Sequence, residues 1–326
     1  MAEEEPRGVE LDIEEFLGGG SNLAPSVPLA EQKAGFVALI GAPNAGKSTL
    51  INQLVGTKVS IVSHKVQTTR TTVRGIVMHS GSQIIFVDTP GIFQPRRRLD
   101  RAMVDAAWGG AKDADITTLL IDAERGIKGD AERILEALKN RQGTRILLLN
   151  KIDRVRSDEL LALIAKANEI VEFDHTFMVS ALKGTGCKDY LDCLAELMPQ
   201  GPWLYPPEQV SDFPTKMMAA EVTREKLYLR LHQELPYSAH VETESWEEKK
   251  DGSVRIGQVI YIQRDAHKKI VIGKKGETIK AISRQSRAEL KELLDRDVHL
   301  FLFVKVRENW IDDPERYQEM GLQFPK

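Results

Sequence analysis

Short apolar runs recur along the chain from Gly35 to about residue 180, and they predict buried β-strands. Between them lie stretches with an apolar residue every three or four positions, which predict amphipathic helices. Strands of this kind, alternating with helices, are typical of a mostly parallel sheet that helices cover on both faces. The predicted strands are Phe36–Ile40, Ile84–Val87, Ile116–Ile121, Ile146–Leu149 and Thr176–Val179, and the predicted helices are Ala131–Leu138, Leu160–Ile170 and Tyr190–Leu197.

A proline-rich stretch separates this α/β unit from a second, α+β unit. Five prolines fall within residues 199–214, which disfavours a helix and predicts a stiff linker. We therefore expect a tail over residues 1–34, a first domain over 35–198, the linker over 199–214 and a second domain over 215–326. The second domain is predicted to run as helix Met217–Leu235, strand Tyr237–Trp246, strand Val254–Gln263, a short helix, helix Glu277–Leu294 and strand Val298–Val306.

Composition agrees with two globular domains: the chain has 326 residues, 42% of them hydrophobic and 29% charged, with a formal charge of -3. The first 20 residues hold seven acids and one base, which predicts a disordered tail. No apolar run approaches the ~20 residues that span a bilayer, and the acidic start does not fit a signal peptide. Cys187 and Cys193 lack the partners of a zinc site or a disulfide framework. We expect a cytoplasmic protein, and secreted, membrane-spanning and fibrous classes are excluded.

The segment Gly41–Ser48 matches the phosphate-binding pattern G-x-x-x-x-G-K-[ST] between a predicted strand and the helix Ser48–Leu54. Glycines let backbone N–H groups turn toward phosphate, and the helix N-terminus adds positive potential. Lys47 is expected to reach the β- and γ-phosphates, and the Ser48 hydroxyl to bind Mg²⁺. The predicted nucleotide contacts here are Gly41, Ala42, Pro43, Asn44, Ala45, Gly46, Lys47, Ser48 and Thr49.

The segment Asn150–Asp153, which reads Asn-Lys-Ile-Asp, predicts the base. It follows a predicted strand, where loops at the carboxyl edge of a parallel sheet bind ligands. A carboxylate at Asp153 accepts hydrogen bonds from guanine N1–H and the exocyclic amine, and adenine offers neither. Asn150 is expected to hold the other purine edge and the neighbouring loops, and the Lys151 stem to cover the ring. Ser180 and Ala181 follow the next strand and can present a backbone N–H to guanine O6.

Two further segments complete a phosphate and metal site. Asp88-Thr89-Pro90-Gly91 follows a strand, and in it Asp88 can hold Mg²⁺ through water while the Gly91 N–H contacts the γ-phosphate. Gln67-Thr68-Thr69-Arg70 lies between this segment and Ser48, and a threonine there can complete the Mg²⁺ shell when GTP is bound. We favour Thr69, with Thr68 as the alternative. Roles in hydrolysis are assigned to Lys47, Thr69, Asp88 and Gly91.

A second motif, Gly273-Lys274-Lys275-Gly276, lies between two predicted helices. A Gly-x-x-Gly loop lets the backbone approach a phosphodiester chain, as in KH modules, and the element order matches a type II KH fold. Residues 255–291 carry ten bases and three acids, a net charge of +7 within a chain of -3. Such a concentration of positive charge indicates a polyanionic partner. The predicted RNA contacts are Ile272, Gly273, Lys274, Lys275, Gly276, Lys280 and Arg284.

Taken together, the order of these motifs resembles the Era family of ribosome-assembly GTPases from Gly35 to about Tyr317. The resemblance implies a P-loop GTPase domain and a KH domain, with GTP and GDP as ligands. It also implies binding to the 3′ end of small-subunit (16S-type) ribosomal RNA, a role in maturation of the 30S subunit, and a monomeric state. It leaves open a peripheral contact with the inner membrane.

One position departs from Ras-like enzymes, which carry a water-orienting Gln directly after the Gly of the Asp-x-x-Gly segment, here Asp88-Thr89-Pro90-Gly91. Here that position is Ile92, so slow intrinsic hydrolysis is expected. The family resemblance implies compensation by K⁺, held partly by Asn44. Two other functional classes stay open from the sequence, an enzyme that couples GTP hydrolysis to RNA modification and an adenine-dependent ATPase. Asp153 opposes the ATPase, and no catalytic Cys or second substrate motif supports the modification enzyme.

Overall fold

The computed structural model describes residues 27–231, 235–308 and 310–325. The predicted disorder of residues 1–26 lies outside these ranges. A short 3-10 helix spans Leu29–Glu31, and the first strand begins at Lys33, two residues before the expected domain start at Gly35. Lys33 pairs with Ser82 in a parallel ladder, so backbone bonding extends the strand beyond its apolar run. No helix within the described ranges is long and apolar enough to cross a membrane.

The first domain is a six-stranded sheet in the order β2-β3-β1-β4-β5-β6. Its strands are parallel except β2, which runs antiparallel to β3. The helices α1 and α5 cover one face and α2, α3 and α4 the other, which confirms the predicted layered α/β fold. The strands are β1 (Lys33–Gly41), β2 (Val73–His79), β3 (Ser82–Asp88), β4 (Ile116–Asp122), β5 (Thr144–Asn150) and β6 (His175–Val179), and the helices are α1 (Lys47–Val55), α2 (Arg98–Asp113), α3 (Asp130–Leu138), α4 (Ser157–Ile170) and α5 (Cys187–Leu197).

Strand β2 and helix α2 were not predicted. β2 is interrupted by Gly75, where a Cβ would lie 2.8 Å from the Ile51 side chain of α1, so close packing requires glycine there. Helix α2 contains the adjacent glycines Gly109 and Gly110, which weaken a helical pattern. It forms nevertheless because its two sides pack against the first sheet and against the second domain.

The proline-rich segment is attached along the edge of the first sheet. The Ile76 N–H of β2 donates to the Val210 carbonyl at 2.9 Å. The side chain of Gln83 donates to the Tyr205 carbonyl at 2.7 Å and accepts from the Leu204 N–H at 2.8 Å. The expected linker is therefore a docked segment, and the second domain begins after it.

The second domain has a three-stranded sheet in the order β7-β8-β9, in which β8 is antiparallel to β7 and parallel to β9. Its helix–strand–strand–helix–helix–strand order is the one predicted for a type II KH fold. The first helix ends at Arg230, and Leu235 lies outside it, so the predicted helix end was wrong. A short C-terminal helix was not predicted. The elements are α6 (Thr215–Arg230), β7 (Ala239–Glu248), β8 (Val254–Ile262), α7 (Asp265–Ile272), α8 (Glu277–Leu294), β9 (Val298–Val306) and α9 (Pro314–Glu319).

The two domains share an apolar cluster. Leu99 and Met103 of α2 are buried against Val259 and Tyr261 of β8 and against Trp310. An apolar interface of this kind opposes free motion of one domain against the other. The domains are thus in direct contact, in addition to the covalent connection through the docked segment.

Candidate functional site

The loop that joins β1 to α1 has the geometry of a phosphate cradle. Gly46 precedes the first residue of α1 and has a φ of 103°, a left-handed conformation that favours glycine. A Cβ on Gly46 would lie 2.2 Å from the Asn150 amide nitrogen, so a side chain does not fit. No side chain caps this helix N-terminus, which leaves its N–H groups for an anion.

Lys47 lies over this loop. It is only 6% exposed, and its Nζ donates to the carbonyls of Gly41 at 3.1 Å and Ala42 at 3.3 Å. Burial lowers the pKa of Lys47 to about 8, although the nearby Asp88 carboxylate opposes this shift. A buried ammonium with two neutral partners is suited to a phosphate group, which would supply the missing negative charge.

Hydroxyl and carboxylate oxygens converge beside the loop. Ser48 Oγ donates to Asp88 Oδ2 at 2.8 Å, and Thr69 Oγ1 lies 2.9 Å from Ser48 Oγ. Ser60, which the sequence did not indicate, also donates to Asp88 Oδ2 at 2.8 Å. Burial raises the pKa of Asp88, against the effects of Lys47 and the three hydroxyl donors.

These oxygens fit a magnesium ion. Mg²⁺ prefers oxygen ligands, and it is commonly bound by one or two protein groups together with phosphates. The Oδ1 atom of Asp88 is buried and has no hydrogen-bond partner among the described residues. An unpartnered carboxylate oxygen beside Ser48 and Thr69 is the observation that favours a cation here.

The two threonines of the Gln-Thr-Thr-Arg motif point in different directions. Thr69 is buried, and its hydroxyl also lies 3.4 Å from Asp88 Oδ2. The Thr68 hydroxyl instead lies 2.6 Å from Ser63 Oγ and donates to the Lys65 carbonyl at 2.7 Å. This geometry supports Thr69 as the metal ligand, which stays a prediction.

The Asp88-Thr89-Pro90-Gly91 segment borders the phosphate loop. Thr89 donates to the Leu39 carbonyl at 2.7 Å, which fixes the motif to β1. A Cβ on Gly91 would lie 3.0 Å from the Pro43 backbone, so the two loops are in close contact. Ile92 is 6% exposed and belongs to the apolar core, although its N–H donates to the Gly41 carbonyl at 3.0 Å. Its side chain is therefore directed away from the site.

Asn150 joins three loops of the base site. Its Nδ2 donates to the Ala45 carbonyl at 2.8 Å, and its Oδ1 accepts from the N–H groups of Lys151 at 2.8 Å and Ala181 at 2.9 Å. The expected contact with the loops is thus present, and no purine edge is needed to explain this buried side chain. Lys151 was expected to cover the base, and its Nζ forms a 2.6 Å ion pair with Asp122, which the sequence did not indicate.

The Asp153 carboxylate lies at the exposed side of this base site. Its Oδ1 accepts a hydrogen bond from Ser180 Oγ at 2.8 Å, and Lys183 Nζ lies 3.4 Å from Oδ2. The hydrogen bond from Ser180 lowers the pKa of Asp153, so the group is ionised at neutral pH. An ionised carboxylate held in one orientation is suited to two adjacent N–H donors of a guanine base.

The Gly-x-x-Gly turn joins α7 to α8. Gly273 has a φ of 74°, and a Cβ there would lie 2.2 Å from the Thr278 hydroxyl. Lys274 and Lys275 are exposed at the tip of the turn, and Lys280 is exposed on the first turn of α8. None of the three forms an ion pair with another residue in the described part of the chain. Arg284 is exposed one turn further along α8. This end of the domain therefore presents uncompensated positive charge on a tight turn.

Comparison with known proteins agrees with both halves. A model of the 50S ribosome-binding GTPases matches residues 36–151, and a model of the KH domain matches residues 234–311. GTPase Era of Sinorhizobium medicae is 69% identical over 294 residues, which cover 90% of this chain and 95% of that protein. GTPase Era of Brucella suis is 63% identical over 307 residues, which cover 94% of this chain and 99% of that protein.

Solved structures are similar over the same length. A crystal structure of Era in complex with MgGDPNP and nucleotides 1506–1542 of 16S ribosomal RNA has a TM-score of 0.85 and 36% identity, and the match covers 89% of this chain and 99% of that chain. A single-residue variant of Aquifex aeolicus Era bound to GDP·AlF4⁻ has a TM-score of 0.84 and 36% identity, with the same coverage. With the phosphate loop, the guanine corner and the Gly-x-x-Gly turn in one chain, these matches establish that the chain belongs to the Era family of GTPases.

Proposed function

We propose that this protein is a GTP-hydrolysing switch that binds the 3′ end of small-subunit ribosomal RNA and assists maturation of the 30S subunit. The observation that carries the proposal is that Lys274 and Lys275 are exposed on a turn that follows the KH pattern and form no ion pair within the described ranges, in a chain with a guanine-nucleotide site. The Era structure that holds MgGDPNP and nucleotides of 16S ribosomal RNA supports it. The ATPase and RNA-modification alternatives have no comparable support.

In the nucleotide site, each side chain has a defined task. Lys47 pairs with the β- and γ-phosphates, and Asp153 accepts hydrogen bonds from guanine. Ser48 and Thr69 are the proposed direct ligands of Mg²⁺, and Asp88 holds the ion through water. When bound, Mg²⁺ neutralises charge on the transferred phosphate. The Gly91 N–H is the proposed contact to the γ-phosphate, because its loop touches the phosphate cradle at Pro43.

Intrinsic hydrolysis is proposed to be slow. The Ile92 side chain is part of the apolar core, so it neither reaches nor polarises an attacking water. We propose that K⁺ beside the phosphates compensates, with Asn44 as one ligand. The Asn44 side chain donates to the His64 carbonyl at 2.8 Å, which links the phosphate loop to the segment before Thr69. A hydrolysis rate that is equal in K⁺ and Na⁺ buffers would refute this part.

On the RNA side, Gly273 and Gly276 let the backbone approach a phosphodiester chain, and Lys274, Lys275 and Lys280 face its phosphates. KH modules clamp about four nucleotides of a single strand in this way. Arg284 extends the positive surface by one helical turn, and Ile272 lies at the start of the turn beside the nucleotides. Because phosphate contacts carry little sequence information, we propose that other residues of the KH domain read the identity of the bases.

The experiment changes the two lysines and keeps the glycines. The double variant Lys274→Asp and Lys275→Asp retains the turn, whereas any side chain at Gly273 would collide with Thr278. Reversing the charge at two proposed phosphate contacts should weaken binding of single-stranded 16S 3′-end RNA by at least about 10²-fold at moderate salt. It should also make the plot of log affinity against log salt concentration less steep.

The matched control is Lys249→Asp with Lys250→Asp, an identical charge change on two neighbouring exposed lysines at the turn between β7 and β8. RNA affinity should change much less in this control, and GDP affinity should be unchanged in both double variants. Equal loss of RNA binding in the two would mean that the domain attracts RNA by overall charge. Unchanged RNA binding in the first would refute the KH assignment.

The proposal extends to where and in what state the protein acts. A factor that works on the small ribosomal subunit is expected in the cytoplasm, and we propose that it acts there as a monomer. A peripheral contact with the inner membrane stays a prediction, for which flotation with anionic vesicles is the direct measurement.

A further inference from the structure

The second domain encloses the side chain of Arg70, the residue directly after Thr69. Arg70 is 1% exposed, and its Nη1 donates to the Ala239 carbonyl at 2.9 Å. Its Nη2 donates to Tyr228 Oη and to the Tyr237 carbonyl, each at 2.9 Å. All of these acceptors belong to the KH domain. The side chain of Arg70, a residue of the nucleotide-binding domain, is thus buried in the KH domain.

Contacts also run in the opposite direction, from the KH domain to the backbone around Thr69. Arg224 of α6 donates from Nη1 to the Gln67 carbonyl at 3.4 Å and from Nη2 to the Thr68 carbonyl. Tyr228 Oη, which accepts from Arg70, donates to the Gln67 carbonyl at 3.3 Å. Lys65 in turn donates to the Tyr228 carbonyl. The segment from residue 65 to 70, called here the switch segment, is therefore bonded to α6 at several points.

Fewer bonds connect the switch segment to its own domain. Thr69 reaches Ser48 and Asp88 through a single hydroxyl, and Gln67 donates from Nε2 to Asp100 Oδ1 of α2 at 2.7 Å. Thr68 contacts Ser63 through its hydroxyl, but Ser63 lies on the same loop and adds no anchor to the sheet. The backbone on both sides of Thr69 is consequently held mainly by the KH domain.

From these contacts we propose that Arg70 is a positioning residue for GTP binding and hydrolysis, and that the KH domain forms the wall that holds Thr69 in the metal site. The inference rests on the proposed function in one respect, the assignment of Thr69 as a ligand of Mg²⁺. It goes further because it makes the RNA-binding domain a structural part of the GTPase site.

The chemistry of Arg70 explains why it holds firmly. A guanidinium that leaves water needs acceptors for its N–H groups, and in the described chain Nη1 and Nη2 find carbonyl and hydroxyl oxygens and no carboxylate, while Nε has no partner there. Those acceptors come from α6, from the residues that lead into β7 and from its first residue, and they match the planar fork of an arginine. A lysine has one point charge and cannot reach them together. If the KH domain moved by a few ångströms without Arg70, the guanidinium and its acceptors would lose their hydrogen bonds. Arg70 therefore moves with the KH domain and takes Thr69 with it.

Because binding equilibria are reciprocal, an RNA that displaces α6 or the start of β7 must change the affinity for GTP by the factor by which GTP changes the affinity for RNA. GDP lacks the γ-phosphate, and its site does not need Thr69. The position of the KH domain should therefore alter GTP affinity much more than GDP affinity.

The experiment compares the affinity of the full chain for GDPNP and for GDP in Mg²⁺. In Arg70→Ala, GDPNP affinity should fall about tenfold, within the range usual for coupled sites, while GDP affinity stays within about twofold. Arg70→Lys should not rescue the loss. Tyr228→Phe removes one acceptor of Arg70 and keeps the ring packing, so it should give a smaller loss with the same preference for GDP.

Two further variants fix the interpretation. Arg98→Ala removes a different cross-domain ion pair, to Asp312 at 2.9 Å, and should leave both affinities unchanged. Thr69→Ala should reproduce the Arg70→Ala loss, and the double variant should add little to it. Suppose that Thr69→Ala weakens the binding of GDPNP alone. The inference is then overturned if Arg70→Ala and Tyr228→Phe weaken the binding of GDP and GDPNP equally, or if they weaken the binding of neither nucleotide. If Thr69→Ala fails to discriminate, the metal assignment itself is wrong and the inference fails with it.

Discussion

Replacement of Asp153 by Asn tests how the protein selects its purine. The change is small for the fold, because an amide oxygen can still accept the 2.8 Å hydrogen bond from Ser180. The substitution removes the ion pair with Lys183, whose Nζ lies 3.4 Å away on a side chain that is 60% exposed, and exposed pairs of this kind add little stability. The unfolding temperature of the variant should therefore stay close to that of the parent protein.

The effect on nucleotide binding should be large. Ser180 and Lys183 orient the carboxylate without occupying all of its lone pairs, which leaves acceptors for guanine N1–H and the exocyclic amine. A hydrogen bond to a charged group contributes about 1.5–3 kcal/mol, so losing two weakens GTP binding by about 3–6 kcal/mol. This corresponds to a loss of affinity of roughly 10²- to 10⁴-fold. Xanthosine triphosphate carries a carbonyl where guanine has its amine, and it should bind the variant better than GTP does.

The assay is displacement of a fluorescent guanine nucleotide by GTP, XTP and ATP at neutral pH, where Asp153 is ionised. The matched control is Glu124→Gln, which neutralises another exposed carboxylate that pairs with Arg154 at 3.1 Å. Its nucleotide preference should not change. If Asp153→Asn binds GTP as tightly as the parent protein, or gains no preference for XTP, then this carboxylate does not read the base.

Three other predictions address the buried parts of the site and the interface. Burial lowers the pKa of Lys47 to about 8, so GDP affinity measured by calorimetry should fall as the pH rises above that value. The variant Lys47→Met should abolish GDP binding. It should also raise the unfolding temperature near pH 7, because the buried charge of Lys47 is destabilising there. Ile92→Gln should lower stability by about 1–3 kcal/mol in chemical denaturation without raising the hydrolysis rate, because the amide would enter the core. Met103→Ala, at a fully buried position between the domains, should lower stability by about 2–5 kcal/mol in the same measurement.

The sequence was most informative where a strand or helix carries a regular pattern of apolar positions of its own. Helix Glu277–Leu294 and strand Val298–Val306 have the predicted bounds because their patterns depend on local periodicity. Strand β2 and helix α2 were missed because their glycines are tolerated through tertiary packing, which no local pattern contains. Lys33 joins β1 through backbone pairing, which is independent of side-chain polarity.

The nucleotide site shows the same division. Its motifs are contiguous, so Gly46, Lys47, Asp88 and Asp153 could be found from spacing. The partners Ser60 and Asp122 lie 28 and 29 residues from the side chains that they contact, Asp88 and Lys151, and single residues of common types give no signal of their own. Tyr228 and Arg224 are further examples, since nothing in the sequence of helix α6 indicates that it faces a loop far earlier in the chain.

The route between the domains depends on contacts that the sequence alone does not show. The proline-rich stretch predicts a stiff linker, and in the structure its backbone is bonded to the edge strand β2 at Val210, while its side chain Asp212 pairs with Arg74 at 2.6 Å. A segment fixed to the first domain cannot report on the position of the second. Among the contacts between the domains, those of Arg70 adjoin Thr69, the proposed ligand of Mg²⁺, so we infer that the two domains are coupled there and not through the proline-rich segment.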